Sequence, residues 1–326
     1  MAAIGYALPC EEHGPRDLVS NARLAEEAGF EFALISDHFH PWIDRQGQSP
    51  FVWAVIGAIA EATEGLRLGT GVTCPTIRTH PAIIAQAAAT AAVLMPGRFF
   101  LGVGTGENLN EHVLGDHWPP AAVRLEMLEE AVEVIRRLWS GEQTSHRGRH
   151  YVVENARIYT APAESPPILV AAAGPKAAEL AGRIGEGFVG VSPQGELLDV
   201  FDRAGGRGKP RYGQVQVCWA SDEREAKRTA LEWFPNIALP GELSQELPVP
   251  AHFEQAVELL SEDDMSEIVA CGPDPERHLE MIGRFEDAGF DHIYVHQIGP
   301  EQEGFIRFYE SEVLPRVQAK ASVGSR

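Results

Sequence analysis

Three times in this chain a helix-stopping glycine stands directly before an apolar run: Gly29-Phe30-Glu31-Phe32-Ala33-Leu34-Ile35, Gly185-Glu186-Gly187-Phe188-Val189-Gly190-Val191 and Gly289-Phe290-Asp291-His292-Ile293-Tyr294-Val295. Glycine supplies the left-handed cap that ends a helix. Runs without clear polar alternation mark strands buried on both faces, as in parallel sheets. By this reading strands fall at residues 4–8, 30–36, 66–73, 98–104, 168–173, 187–191, 213–219 and 292–297. Helices fall at 17–29, 52–63, 81–94, 124–138, 176–183, 223–234, 275–288 and 305–317, with Leu125, Leu128, Val132, Ile135 and Leu138 at helical spacing in the fourth. Eight strand–helix units predict an α/β fold, a closed (β/α)8 TIM barrel spanning 1–326 as one domain, over an open doubly wound sheet. A plain barrel takes about 250 residues. The surplus lies in three insertions, near 108–123, 141–167 and 235–273, expected at the mouth or at a subunit contact. The second should hold a small hairpin (148–154 with 156–160), and the acidic third a helix at 252–260.

Charge and thiols exclude several classes of partner. With 47 acidic and 27 basic side chains the formal charge is −20, and no Lys/Arg stripe interrupts it, so nucleic acid is disfavoured. The longest apolar stretch, 82–95, is too short to span a bilayer and is broken by Gln86 and Thr90, so no membrane partner is expected. The N-terminus has no basic region before an apolar run, which predicts no secretory signal. Cys10, Cys74, Cys218 and Cys271 form no C-x-x-C pair, and free thiols in a reducing cytoplasm are expected.

Barrel chemistry sits at the C-terminal strand ends. That rule selects Asp37, His38 and His40 after the second strand, Cys74 after the third, and Thr105, Gly106, Glu107 and Asn110 after the fourth. It selects Ala172, Ala173, Gly174 and Lys176 after the fifth, Ser192 and Gln194 after the sixth, and His296 and Gln297 after the last. Ser36-Asp37-His38-Phe39-His40-Pro41-Trp42 is too polar to continue a core, and histidine suits proton transfer near neutrality. A metal held by His38 and His40 is disfavoured, because alternate residues of an extended loop point apart and no third ligand shows metal spacing. Gly185-Glu186-Gly187-Phe188-Val189-Gly190 has G-x-G-x-x-G spacing but enters a strand rather than leaving one, so it is no dinucleotide fingerprint. Ala171-Ala172-Ala173-Gly174-Pro175-Lys176-Ala177 joins a strand to a helix through small residues. Backbone approach there is open, and a helix N-terminus favours phosphate.

Ser-Asp-His-Phe-His-Pro-Trp at 36–42, Gly-Val-Gly-Thr-Gly-Glu-Asn-Leu-Asn-Glu at 102–111 and the Ala-Ala-Gly-Pro turn together resemble the coenzyme F420-dependent dehydrogenases of the luciferase-like superfamily. The resemblance is to their glucose-6-phosphate and secondary-alcohol members, and it runs from residue 4 to about 317. It implies a homodimer with F420, a deazaflavin, in the barrel mouth. It also implies catalytic roles for His38 as base toward the substrate hydroxyl, Trp42 against the reacting face and Glu107 near N1 of the ring. Cofactor contacts are implied for Asp37, Cys74, Thr105, Gly106, Asn110, Ala173, Gly174, Lys176 and Ala177, and substrate contacts for His40, Val191 and Gln194. A cis peptide is implied at Gly71–Val72, and no metal is implied. The implied reaction moves a hydride from a CH–OH group to C5 of the deazaflavin. An FMN-dependent luciferase-like monooxygenase is the alternative within the superfamily.

The sequence departs from the glucose-6-phosphate enzymes where they hold phosphate. Their three cations fall on Gln194, Ser244 and Ile268. Cys74 and His40 instead resemble the secondary-alcohol enzymes. An alcohol or an unphosphorylated sugar is therefore the expected substrate, with glucose 6-phosphate as the alternative should Arg207 or Lys209 supply charge from elsewhere.

Overall fold

The computed structural model describes residues 2–324. Eleven strands occur in chain order: β1 (Ala3–Leu8), β2 (Phe32–Ile35), β3 (Arg67–Thr70), β4 (Phe99–Val103), β5 (Thr144–Arg147), β6 (Val152–Ala156), β7 (Ile168–Ala171), β8 (Gly187–Gly190), β9 (Arg211–Cys218), β10 (Ala270–Cys271) and β11 (His292–Gln297). Eight of them are parallel staves in the order β11-β1-β2-β3-β4-β7-β8-β9, and β9 pairs with β11 to close the ring. Each expected strand is one of these staves, so the chain is a (β/α)8 barrel.

The barrel has two apolar layers. Ala7, Phe32, Leu34, Phe100, Leu169, Val189, Tyr212 and Tyr294 fill the inside, and a larger layer lies between staves and helices. Glycine makes room for the inner rings. A Cβ on Gly69 would stand 2.0 Å from the Phe100 ring, its register partner. The helix Pro15–Glu27 buries Leu18, Asn21, Ala22 and Ala25, one stripe at helical spacing. Gly29 then takes φ +92°, which lets the Phe30 amide reach back to the Ala25 carbonyl at 3.0 Å. Gly289 (φ +102°) repeats this before β11, with Phe290 bonded to Phe285 at 3.0 Å. Gly185 differs. Its φ is −89°, and the glycine is needed there because a Cβ would meet the Ala181 carbonyl oxygen at 2.8 Å.

Other elements depart from expectation. The hairpin is β5 with β6, several residues before the expected pairing, because Gly148–His150 form its turn rather than a strand. The expected helix at 252–260 is Pro250–Ala256. Pro250 starts it early, and Ser261 opens a separate helix, Glu262–Ile268, through a capping box with Asp264. The helix Gly195–Phe201 and strand β10 had no counterpart in the sequence reading. β3 ends at Thr70, and the Gly71–Val72 peptide beyond it is cis. No helix among the described residues is long and apolar enough to cross a membrane.

Candidate active site at the barrel mouth

The strand-end loops bring the expected polar residues together. His38 is the centre. Its Nε2 lies 3.2 Å from Glu11 Oε1, and both side chains are buried. Glu11 leaves β1 and also accepts a hydrogen bond from Ser36 Oγ at 2.5 Å. On the other side, His38 Nδ1 lies 3.1 Å from Asn110 Nδ2 and 3.2 Å from the His40 carbonyl oxygen. The amide of Asn110 cannot be reversed, because its Oδ1 accepts the backbone N–H groups of Phe39 (2.9 Å) and His40 (3.1 Å). Nδ1 of His38 therefore sits between one donor and one acceptor. Without a proton it accepts from Asn110, and with one it donates to His40. Both protonation states are satisfied, as a group that gains and loses a proton requires.

Trp42 stands beside this histidine, with ring centroids 4.9 Å apart. The third insertion covers it, since Phe253 meets the Trp42 ring edge-on at 5.3 Å and packs with Ile43 and Leu109. Asn108 Nδ2 also donates to the Glu246 carbonyl at 3.0 Å. Glu107 is half-buried, and its Oε2 lies 3.4 Å from Asn110 Nδ2. One amide thus touches both the histidine and the glutamate. His40 turns away from His38 and meets the Leu109 carbonyl through Nδ1 at 2.9 Å. Val191 and Gln194 are exposed beyond β8.

Asp37 is buried and committed within the protein. Oδ2 accepts from Thr73 Oγ1 at 2.8 Å and Oδ1 from Arg78 Nη2 at 2.9 Å. Cys74 is buried, 3.0 Å from Thr76 Oγ1, and burial pushes its thiol well above the ordinary range. Gly106 has φ +74°, and a Cβ there would lie 2.7 Å from Cys74 Sγ, so only glycine lets the Thr105–Glu107 loop close on β3.

Across the mouth, Gly174 precedes the ten-residue helix Pro175–Ile184, which has no side-chain cap. A Cβ on Gly174 would meet nothing within 4 Å, Ala173 and Lys176 are exposed, and Lys176 makes no ion pair among the described residues. Open space, free backbone donors and an unpaired ammonium fit the anionic end of a cofactor. Ala177 follows in the first turn.

The fallback cations do not reach this mouth. Arg207 and Lys209 precede β9 and so lie at the opposite, N-terminal end of the staves. Lys209 Nζ there caps the Gly182 and Gly185 carbonyls at 2.9 and 2.8 Å.

The sequence reading missed Glu11, Arg78 and Glu111, and also Glu12, the partner at 2.8 Å of the His296 that it did select. Glu11 and Glu12 lie in the loop just after β1, beyond Pro9 and Cys10, so the strand-end rule could have found them. Arg78 and Glu111 had no such signal. Glu111 is 1% exposed, and burial pushes its carboxyl up to about 7 against the opposing pull of Arg78. The folded protein therefore holds this proton more tightly than the unfolded chain. The contribution is complete below pH 4.5 and is lost as pH rises to about 7. The whole fall amounts to about 3 kcal/mol. Wild-type urea midpoints should decline across this window and those of Glu111→Gln should not. Equal slopes for the two proteins would refute the assignment.

A closed parallel barrel whose strand-end loops hold a histidine between a buried carboxylate and a fixed amide, with an uncapped helix N-terminus on another of those loops, has the layout of a barrel enzyme with its site at the mouth. Comparison with known proteins gives the family: the chain belongs to the luciferase-like monooxygenase family, whose pattern matches residues 3–292. It is 37% identical over 328 residues to an F420-dependent glucose-6-phosphate dehydrogenase of Microbacterium testaceum, covering 97% of each chain. Among solved structures it is similar to an F420-dependent secondary alcohol dehydrogenase in complex with an F420–acetone adduct, with TM-score 0.89 and 29% identity, over 96% of this chain and 98% of that one. An F420-dependent tetrahydromethanopterin reductase from Methanopyrus kandleri shares the fold at TM-score 0.78 and 21% identity, over 97% and 99% of the two chains.

Proposed function

We propose that this chain is an F420-dependent dehydrogenase that oxidises the CH–OH group of a neutral alcohol or an unphosphorylated sugar. The observation that carries the reading is the seat of His38, which accommodates that ring with and without its extra proton. Bound F420 supplies a two-electron hydride acceptor at C5 of its deazaflavin. His38 takes the substrate hydroxyl proton and ends with Nε2–H toward Glu11 and Nδ1–H toward the His40 carbonyl. Glu11, buried beside it, stabilises the positive charge that develops. Glu107, held by Asn110, would offer a proton toward the pyrimidine side of the ring. Trp42, with Phe253 behind it, walls the reacting side and limits water. Thr105, Gly106, Cys74 and the Asp37 and Asn110 loops would hold the ring, and Ala173, Gly174, Lys176 and Ala177 would take the phosphate. His40, Val191 and Gln194 border the substrate.

Adding F420 with a panel of alcohols and sugars, and following deazaflavin absorbance, tests this directly. Bleaching with a neutral substrate is expected, and absence of F420 binding would overturn the reading.

A homodimer is part of the proposal. Residues 46–60 and 79–97 contain no Asp, Glu, Lys or Arg, in a chain with 74 such residues (47 acidic plus 27 basic). They build the neighbouring helices Val52–Ala62 and Pro81–Leu94, where Phe51 is 64% and Ile83 56% exposed. A second copy of the same uncharged face fits such a surface. The Phe51→Glu/Ile83→Glu variant should sediment as a 35.5 kDa monomer and the wild type at twice that mass. A monomeric wild type would end this part of the proposal. Four buried free cysteines support a reducing, cytoplasmic setting, including Cys218 and Cys271, which are register partners on β9 and β10 yet unbonded.

A further inference from the structure

The residues proposed to hold the deazaflavin ring of F420 sit on three separate loops, after β2, β3 and β4. Nothing in the backbone ladder joins them beyond the staves, apart from the single Thr73–Val103 bridge. Side chains tie them in pairs, Thr73 to Asp37 and Asn110 to the Phe39 and His40 amides, and one residue reaches from its own loop to both of the others. Arg78, in the loop after β3, donates through Nη2 to the Asp37 carboxylate (2.9 Å) and to the Asp37 backbone carbonyl (3.2 Å). Its own backbone N–H donates to Glu111 Oε2 at 2.9 Å, and its Nε faces Glu111 Oε1 at 3.5 Å. Glu111 in turn packs under the loop after β4, so close that a Cβ on Gly106 would lie 2.8 Å from its Cγ. The three side chains are 5%, 10% and 1% exposed for Asp37, Arg78 and Glu111. Burial opposes the guanidinium charge, but Asp37 and Glu111 outweigh it.

We infer that Arg78 is a positioning residue for the cofactor: its guanidinium and backbone clasp the Asp37 loop to the Gly106–Glu107 loop and thereby set the width of the deazaflavin seat. The inference rests on the F420 reading and names a residue that reading does not use. The planar fork matters because it reaches a side-chain oxygen and a backbone oxygen of one residue while Nε turns to another. A lysine has the charge but not the fork, and can serve only one of these at a time.

The test is F420 titration by fluorescence on the full-length protein, without substrate. Arg78→Lys should raise the Kd by about 10- to 100-fold, the usual cost of a small misplacement of binding groups. Its kcat at saturating F420 should fall by a smaller factor. A clasp also predicts that Glu111→Gln weakens F420 binding in the same direction, which serves as the second variant should Arg78→Lys not fold. A purely architectural arginine would lower the melting temperature while leaving the Kd of both variants unchanged, and that result overturns the inference. If the wild type itself binds no F420, the functional reading fails. If the wild type binds and Arg78→Lys and Glu111→Gln bind equally well, only this inference fails.

Discussion

Replacing His38 with alanine lowers kcat by about 10²–10⁴ while leaving F420 affinity within about threefold, because a positioned general base is worth that much and the ring is not itself a cofactor anchor. The reason for so large an effect lies in the neighbours. Asn110 donates toward Nδ1, the His40 carbonyl stands ready for a second proton, and Glu11 faces Nε2 at 3.2 Å. Alanine removes the acceptor and leaves buried Glu11 with only Ser36 and solvent. Asparagine, which is smaller and cannot take a proton at neutral pH, should be nearly as slow. Single-turnover reduction of F420 by the best alcohol, beside a binding titration, separates the two effects. Normal turnover by His38→Ala would transfer the role elsewhere, and His40→Ala in the same assay identifies the rival base.

Glucose 6-phosphate should be the poorer substrate, by at least about tenfold in kcat/KM relative to some unphosphorylated partner, which is about 1.4 kcal/mol in transition-state binding. The three positions where the resemblance places phosphate cations hold Gln194, Ser244 and Ile268. Gln194 is exposed just before the helix Gly195–Phe201, and Ile268 ends the helix Glu262–Ile268, 37% exposed. Of the other cations on the mouth loops, Arg45 is engaged with Glu232, Arg78 with Asp37 and Glu111, and Arg124 with Glu246, while Lys176 is the one proposed to take the cofactor phosphate. A dianion entering here must shed water without a fixed positive partner, and each missing charge-assisted contact costs about 1.5–3 kcal/mol. Comparing kcat/KM for glucose and glucose 6-phosphate decides the matter. A tenfold preference for the phosphate would place a phosphate site elsewhere in the mouth. Gln194→Lys should narrow the difference.

The staves were legible because strands buried on both faces leave long apolar runs, and the mouth was legible because polar residues directly after such runs have little else to do. His38, Trp42, Glu107 and Asn110 were found that way, and the structure brings them within contact of one another. Their supports were not. Arg78 lies eight residues beyond the end of β3, in a loop whose path no periodicity reveals, and Glu111 is an acidic side chain in a four-residue helix. Their meaning comes from pairing across loops, which is a tertiary fact. The helix bounds in the third insertion slipped for a local reason, as Pro250 starts the expected helix two residues early and it ends at Ala256, while the Ser261 capping box opens a further helix that was not expected. Gly185 shows the limit of motif reading, because the same sequence pattern served close packing there rather than a left-handed cap.

The first stave lies between β2 and the last stave, and the turn after it is held from both sides. Glu11 reaches His38, while Glu12, next along the chain, is gripped by His296 and by the Gly299 amide at 2.6 Å, across a separation of 284 and 287 residues. During synthesis the histidine, its loop and the Ser36 and Gln48 bonds to the turn exist early, but the Glu12 carboxylate gains His296 and the Gly299 amide only when the final strand emerges and docks. A chain without the final strand therefore carries His38 and Glu11 but lacks this second hold on the turn between the first two staves. Contacts of such long sequence separation are the kind that slow folding, because a long stretch of chain must close before they form.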